Sequence, residues 1–490
     1  MKSLIYTDVS SNLRYMKELF SYPKNIDFRI REFKVKFGED YADAFLIYFD
    51  GMANKDYLNR DLLRPLITSD LGDIPNDIPE TDENGVNART NLVLKRIVTA
   101  GPLSLGDDLK TIAENVSFGE CAIFIDGCNR CFSADIKGWS ARGVDAPSQE
   151  ASLAGPQEAF SEIIMTNLAL VRKILKNPDV VAENIPVGKI SKTPCAVMYI
   201  KNFTNRKLID NVEGRLKKIG ADYIFSSSDV EQLIEEKTYM PMTHTLKTER
   251  PDRAASMLAE GKVVIIVQGS PFALILPTLA ADLVEATEDN YVRIPEANFM
   301  RVIRIFGMLI SLFFPALFIA VMLYHQEVLP TDLLTAIAAS REKVPFPIVF
   351  ELVIMQLAFE LIKEASIRVP NPIGSTLGII GGLILGQAAV EAAIVSPILI
   401  IIVSISGIGS FATPTLALSR SLVLLQFIYI IVAAAAGIMG IVSAAFLSLA
   451  LLASAETYGM PFLAELLPSS NNKYRSAIPV HPIWRRRNRV

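Results

Sequence analysis

Charge is scarce over much of the second half of this 490-residue chain. Residues 305–454 carry seven acidic and five basic side chains, twelve in 150, while the other 340 residues carry 88. Charge density is thus about 8% in one region and about 26% in the other. A wholly soluble enzyme, a disordered chain and a fibrous protein are all excluded by that division, and two or more domains are expected at this length. Histidine is nearly missing, with three residues, His244, His325 and His481. Four cysteines are present: Cys121, Cys128, Cys131 and Cys195. Three lie within eleven positions and include CNRC, a spacing that can share a metal. With so few histidines to complete four ligands, they read instead as reduced thiols near a hairpin, and no metal or cofactor is expected. No basic block occurs in the charged part and the net charge is −4, so nucleic-acid binding has no electrostatic support. The opening MKSLIYTDVSSNLRYMKELF lacks the apolar core and small-residue cleavage site of a signal peptide. The first 300 residues are therefore expected in the cytosol.

What is present in that charged part reads as mixed α and β structure. Residues 1–40 are polar and suggest a helix. Short runs of β-branched and aromatic residues end in turn dipeptides at Asp50-Gly51, Asp126-Gly127 and Gln268-Gly269. Each is a strand-then-hairpin signal, and together they suggest related subdomains. Helical spacing predicts helices over Gln157–Lys176 and Asn205–Gly220, with CAVMYI as a buried strand between them. No GxSxG, Walker loop or GxGxxG occurs, and His244 has no evident nucleophile or acid partner. A regulatory or scaffolding module is expected, not an enzyme. The fold class is an α+β or α/β cytosolic part of two subdomains, 1–150 and 151–300. An all-α multi-span membrane domain over 301–460 follows, and then a basic cytosolic tail, 461–490.

Uncharged runs of about 20 residues are long enough to cross about 30 Å of hydrocarbon. Spans are predicted over 305–324, 372–390, 394–413 and 421–453. The last run is long for one crossing and short for two. One long, tilted or protruding helix is expected there, with Gly437 and Gly440 as the place for a kink or break. Arg293, Arg301 and Arg304 before the first span, and Lys473 to Arg489 after the last, place both ends on the cytosolic side. One apolar segment, Ile348 to Glu364, carries Glu351, Gln356, Glu360, Lys363 and Glu364. Four of these share one helical face, all but Glu351. Either an interfacial helix or a span with an inward polar face fits, and ionisable groups at membrane depth point to function.

The segment PIGSTLGIIGGLILGQAAVE carries glycine every fourth residue, at Gly374, Gly378, Gly382 and Gly386. Such a stripe lets helices pack closely in lipid. Beside it runs Ser375, Ile379, Leu383, Gln387 and Glu391, polar at both ends and apolar between. That row suits a pore with polar mouths and a hydrophobic gate. Ordinary small-residue packing in a bundle is the alternative. Breaks at Pro370-Asn371-Pro372, Pro397 and Pro414 are features of channels and transporters. A secondary transporter and a non-conducting membrane protein stay open at this point.

The stretch FELIKEASIRVPNPIGSTLGIIGGLILGQAAVEAAIVSPILIIIVSISGIGSFATP resembles the A subunit of GerA-type spore germinant receptors. ARGVDAPSQEASLAGPQEAFSEIIMTNLALVRKIL, KTERPD at 247–252, EGKVVIIVQGSPFALILP and EDNY at 288–291 follow the same pattern, over roughly 40–465. Two departures are Gln268, where the family has Asp, and Gln157, where it has Arg. The SpoVAF-like paralogue is similar too, and ARGVDAP reads closer to the receptor subunits. The resemblance implies a multi-pass protein of the spore inner membrane and a homo-oligomer, thought to be a pentamer. It also implies a transporter-like B subunit and a lipoprotein C subunit as partners, with nutrient-gated release of monovalent cations. The glycine helix would then line the pore.

Overall fold

The computed structural model describes residues 4–72, 86–96, 103–138, 147, 150, 154–235, 242–368 and 386–464. Of these, 4–235 and 245–277 make one compact unit, and 242–244 with 278–464 make a second.

The first unit repeats one plan twice. Its first half runs α1 (Val9–Leu19), β1 (Phe28–Phe37), β2 (Asp40–Phe49), helical segments through Thr68, α2 (Ala88–Arg96), β3 (Leu103–Gly106), α3 (Leu109–Ser117), β4 (Glu120–Ile125) and β5 (Cys131–Asp135). Its second half runs α4 (Ile164–Ile174), β6 (Val180–Val187), β7 (Thr193–Ile200), α5 (Arg206–Lys217), α6 (Ser227–Ile234), β8 (Leu246–Thr248), α7 (Pro251–Ala259), β9 (Val263–Val267) and β10 (Ala273–Leu276). The sheet orders are β1-β2-β4-β5-β3 and β6-β7-β9-β10-β8, the same path taken twice, and every paired neighbour is antiparallel.

The expected helix over residues 1–40 is only α1; the charged stretch beyond it is strand β1. Its apolar residues change phase midway, which hides the alternation. Phe28 and Ile30 face the core that holds α1 and α3. Phe33, Val35 and Phe37 face the opposite core. A strand covered on both faces loses the simple in–out pattern of a half-exposed one. The helix expected over Gln157–Lys176 begins only at Ile164. Before it the Phe160 N–H donates to the Glu249 carbonyl, which holds the chain in a non-helical path.

The same lock closes both halves. Buried Asn12 accepts from the Tyr6 N–H at 3.0 Å and donates to the Tyr6 carbonyl at 2.6 Å. Buried Asn167 does the same with Ser161, at 2.8 and 2.6 Å. After β4, Asp126 accepts from the Val9 N–H that opens α1, at 3.2 Å. After β9, Gln268 accepts from the Ile164 N–H that opens α4, at 3.0 Å. The glycine following each, Gly127 and Gly269, has φ of +77° and +84°, the left-handed region where a Cβ is strained. Gln268 thus does with an amide what Asp126 does with a carboxylate. The halves join where Asn25 bridges Glu183 and the Ile26 N–H donates to the Ala182 carbonyl. Fully buried Arg172 clamps that joint. Its guanidinium binds both oxygens of Asp27 at 2.6 and 2.8 Å, takes Asn25 and the Val180 carbonyl, and stacks on Phe49.

The second unit is helical. α8 (Ile294–Tyr324) and the run Leu416–Ala453 are long and apolar enough to cross a membrane. Between them stand α9 (Thr331–Arg341), α10 (Ile348–Arg368) and α11 (Pro397–Phe411). The expected single long last helix is instead a helical hairpin. Gly437 leaves helical geometry at φ 61°, ψ −145°. The Tyr429 hydroxyl lies 3.1 Å from that of Ser448, nineteen positions on. A straight helix would separate those residues by about 28 Å. We therefore distinguish α12 (416–436) and α13 (438–453). The Tyr324 hydroxyl donates to the Ala434 and Ala435 carbonyls next to the turn, and its ring fills the space beside Gly437. These are carbonyls that a broken helix leaves without their N–H partners.

The contacts fix the directions of the helices. Gly307, in the first half of α8, meets Gly409 and Ala412 at the end of α11, which defines the foot of the bundle. Lys363 near the end of α10 reaches Ser410 and Ser419, also at the foot. Glu351 at the start of α10 accepts from the Ser396 N–H before α11, at the top. The chain after α13 returns to the foot, where the Ala280 N–H donates to the Phe462 carbonyl. α8 and α12 therefore run upward, while α10, α11 and α13 run downward.

Candidate functional site

The structure brings the residues singled out on α10 into contacts within the bundle. Glu351, 1% exposed, accepts from Arg341 at 3.0 Å and from the Ser396 N–H at 3.2 Å. Gln356, also 1% exposed, donates to Gln426 of α12 at 3.2 Å. Lys363 donates to the hydroxyls of Ser410 and Ser419 at 3.3 and 3.1 Å and stands 3.9 Å from Glu360. Glu364 is half-buried. The helix runs between top and foot and turns Gln356 and Lys363 toward α11 and α12. Gly386 and Ala389, at the described end of the glycine helix, are buried, whereas Gln387 and Glu391 are exposed. Gly374, Ser375, Gly378, Ile379, Gly382 and Leu383 lie outside the described residues.

Sequence reading missed a second set of small residues. A Cβ on Gly409 would stand 2.5 Å from the Gly307 carbonyl oxygen, and one on Gly307 would stand 2.8 Å from the Ala412 Cβ. A Cβ on Gly407 would collide with the Phe359 ring. Where lipid gives no hydrophobic drive between helices, such close approach is what packs them. The available signal was SISGIGS at 404–410 within an isoleucine-rich helix, together with Gly307 and Ser311 four apart on α8.

Two of the three arginines expected to flank the first span turn inward, while Arg293 is exposed. Arg301, 2% exposed, binds Asp289 at 3.0 Å, and Arg304 binds the same carboxylate at 3.1 Å. Glu285 stands 3.7 Å from Arg301. Outward on the same turns, Phe299, Val302, Ile303 and Phe306 are exposed. The apolar face of α8 thus begins at Phe299 rather than at residue 305. EDNY supplies Asp289 for this collar.

KTERPD is equally an anchoring motif. Arg250 is fully buried, forks onto Asp252 at 3.1 and 3.0 Å, and holds the carbonyls of Glu150 and Pro156. Glu150 in turn accepts from Thr248 and Arg253. Charge-assisted, forked contacts of this kind are strong and fix the geometry of the segment. The cysteines are core thiols. Cys121 and Cys128 pack into the core on one face of the first sheet and Cys131 into the core on the other, so the two thiols of CNRC face apart. Burial pushes the Cys128 thiol up to about 11 and Cys195 to about 12, which suppresses the thiolate.

Comparison with known proteins covers both units. The family model described as Bacillus/Clostridium GerA spore germination protein matches residues 14–490. Spore germination protein KA of Bacillus subtilis (strain 168) is 35% identical over 460 residues, which is 94% of this chain and 82% of that protein. Spore germination protein A1 of the same organism is 38% identical over 355 residues, 72% of this chain and 73% of that one. The uncharacterized membrane protein YfkQ, also from that organism, is 32% identical over 441 residues, 90% of this chain and 83% of that one. The crystal structure of the N-terminal domain of the A subunit of the Bacillus megaterium spore germinant receptor GerK3 has 33% identity. It covers 57% of this chain and 98% of its own, with a TM-score of 0.44. On the length and identity of the sequence matches, the chain belongs to the GerA family of spore germination proteins.

Proposed function

We propose that this chain is a channel-forming A subunit of a spore germinant receptor. It sits in the spore inner membrane and acts as a homo-oligomer, a pentamer in this reading. A transporter-like B subunit and a lipoprotein C subunit accompany it, and nutrient binding to the complex opens a path for monovalent cations. The observation that carries this reading is the orientation of the described end of the glycine helix. Gly386 and Ala389 turn into the subunit, while Gln387 and Glu391 of the adjoining row face away from it. In this reading neighbouring copies enclose the row that its own bundle leaves open. Ser375, Ile379 and Leu383 continue that row in the sequence at helical spacing; in this reading Ile379 and Leu383 are its apolar constriction, and Ser375 at one end and Gln387 and Glu391 at the other its polar mouths.

The reading also sets a membrane topology. α8, α10, α11, α12 and α13, with the glycine helix, make six crossings. Six is even, so both ends lie on the cytosolic side, in agreement with the arginine-rich tail. Residues 1–150 and 151–300 then form the cytosolic gating module, 301–460 the membrane domain and 461–490 the basic tail. A secondary transporter is the second reading, supported by the inward polar face of α10.

The experiment is cation efflux from spores, or from liposomes bearing the whole receptor. Leu383→Ala is expected to leak monovalent cations without nutrient, on the order of tenfold faster than the native protein, because the constriction loses its apolar side chain. If Leu383→Ala spores hold their potassium and germinate normally, Leu383 is not the gate. Flux that requires a coupled ion gradient would favour the transporter.

A further inference from the structure

The buried polar groups of the helical unit form a directed chain. The Ser311 carbonyl oxygen can only accept, so the Ser406 hydroxyl, 3.1 Å away, must donate to it. With its proton used, Ser406 accepts from the Gln426 side-chain amide at 2.8 Å. The Gln426 oxygen is then turned to Gln356, which donates to it at 3.2 Å. Each amide orientation follows from the one before, and the last group left over is an oxygen. That atom, Gln356 Oε1, is buried and has no hydrogen-bond partner among the described residues. One turn further along α10, on the same face, Glu360 Oε1 is also buried without a partner, while Glu360 Oε2 faces Lys363 at 3.9 Å.

Two partnerless acceptors one helical turn apart are costly unless something positive or doubly donating lies between them. Lys363 does not fill that role: its ammonium donates to the hydroxyls of Ser410 and Ser419 and stands 3.9 Å from the other carboxylate oxygen, Glu360 Oε2. We propose that Gln356 Oε1 and Glu360 Oε1 hold a partly dehydrated monovalent cation inside each subunit, between α10 and the helices α11 and α12. One carboxylate oxygen and one amide oxygen suit a hard cation of single charge. The nearby ammonium of Lys363 keeps the binding weak and exchangeable, as a site on an ion path requires. This site is distinct from Gln387 and Glu391, which are exposed, and does not depend on how copies assemble.

The test uses the full chain purified into lipid nanodiscs. Thermal unfolding is followed at constant ionic strength, with potassium, sodium or rubidium replacing N-methyl-D-glucamine. The expected result is a saturable rise in Tm of about 2–4 °C with one of the alkali cations. Glu360→Gln, which keeps the shape, should lose that rise, and so should Gln356→Met. Glu391→Gln on the glycine helix should retain it. A Tm indifferent to cation identity would mean that water alone bridges the two oxygens, and overturns the proposal. So would a rise that survives Glu360→Gln, or one lost only in Glu391→Gln. If Gln356→Met fails to fold, Glu360→Gln alone still decides the matter.

Discussion

The two units hold their helices in register by opposite means. In the first, polar side chains lock onto backbone: Asn12 onto Tyr6, Asn167 onto Ser161, and Asp126 and Gln268 onto the first N–H of a helix. In the second, missing side chains do the work: Gly307 against Gly409, Gly407 under Phe359, and Gly437 beside Tyr324. In the proposed reading, with the first unit in water and the second in a membrane, the difference follows from the surroundings. A water-facing domain gains its energy from burying apolar cores, and the polar locks select one arrangement among several compact ones. In lipid the tails are as apolar as the helices, so closeness of approach supplies the attraction.

The sharpest break of this contrast is Gly409→Val. The new side chain meets the Gly307 backbone, which cannot yield, so α8 and α11 are forced apart. Loss of the folded helical unit is expected, read as proteolysis of 294–453 in detergent while the first unit stays resistant. An intact bundle would show that close approach is not what holds it. Next comes Arg172→Ala, which strands Asp27 in the joint between the halves. About 3–5 kcal/mol of stability should go, measured by denaturant unfolding of the first unit's amides in hydrogen exchange. A loss under about 1 kcal/mol would mean the joint rests on the Asn25–Glu183 bridge alone. Smaller again are the matched variants Asn12→Ala and Asn167→Ala, each expected to cost about 1–3 kcal/mol because two backbone groups lose their partner. Equal losses would confirm that the halves are locked alike. The smallest effect is Gln268→Asp, which copies the first half's cap onto the second. A gain of about 0.3–1 kcal/mol is expected from a carboxylate at the N-terminus of α4, provided the shorter side chain still reaches Ile164. A decrease would show that the amide's extra length is what the site needs.

Much of the plan was legible in the chain. Turn dipeptides at Asp126-Gly127 and Gln268-Gly269 marked two of the hairpins, because the glycine after each must take positive φ. Gly437 was legible as a breaking point. The size of the break was not: a kink and a complete reversal need the same residue, and only the contacts of Tyr429 with Ser448 and of Tyr324 with Ala434 distinguish them. Strand β1 was misread because its two ends serve different cores. The polar residues of α10 were seen in the sequence, but their partners Arg341, Ser396, Ser410, Ser419 and Gln426 lie 10 to 70 positions away.

What the sequence determined by itself is local. Charge density divided the chain, periodicity and turn residues placed most elements, and a run of spaced motifs carried the family. These signals survive in one dimension because they depend on neighbours within a few positions. The tertiary structure decided what each polar group meets. Arg301 and Arg304 look like exposed flanking charges, yet they close on Asp289 while apolar neighbours take the outside. Gln356 ends a hydrogen-bond chain whose direction is set by a carbonyl on another helix. A donor or acceptor is satisfied or left open only by what comes within about 3 Å in space, and spacing along the chain cannot state that.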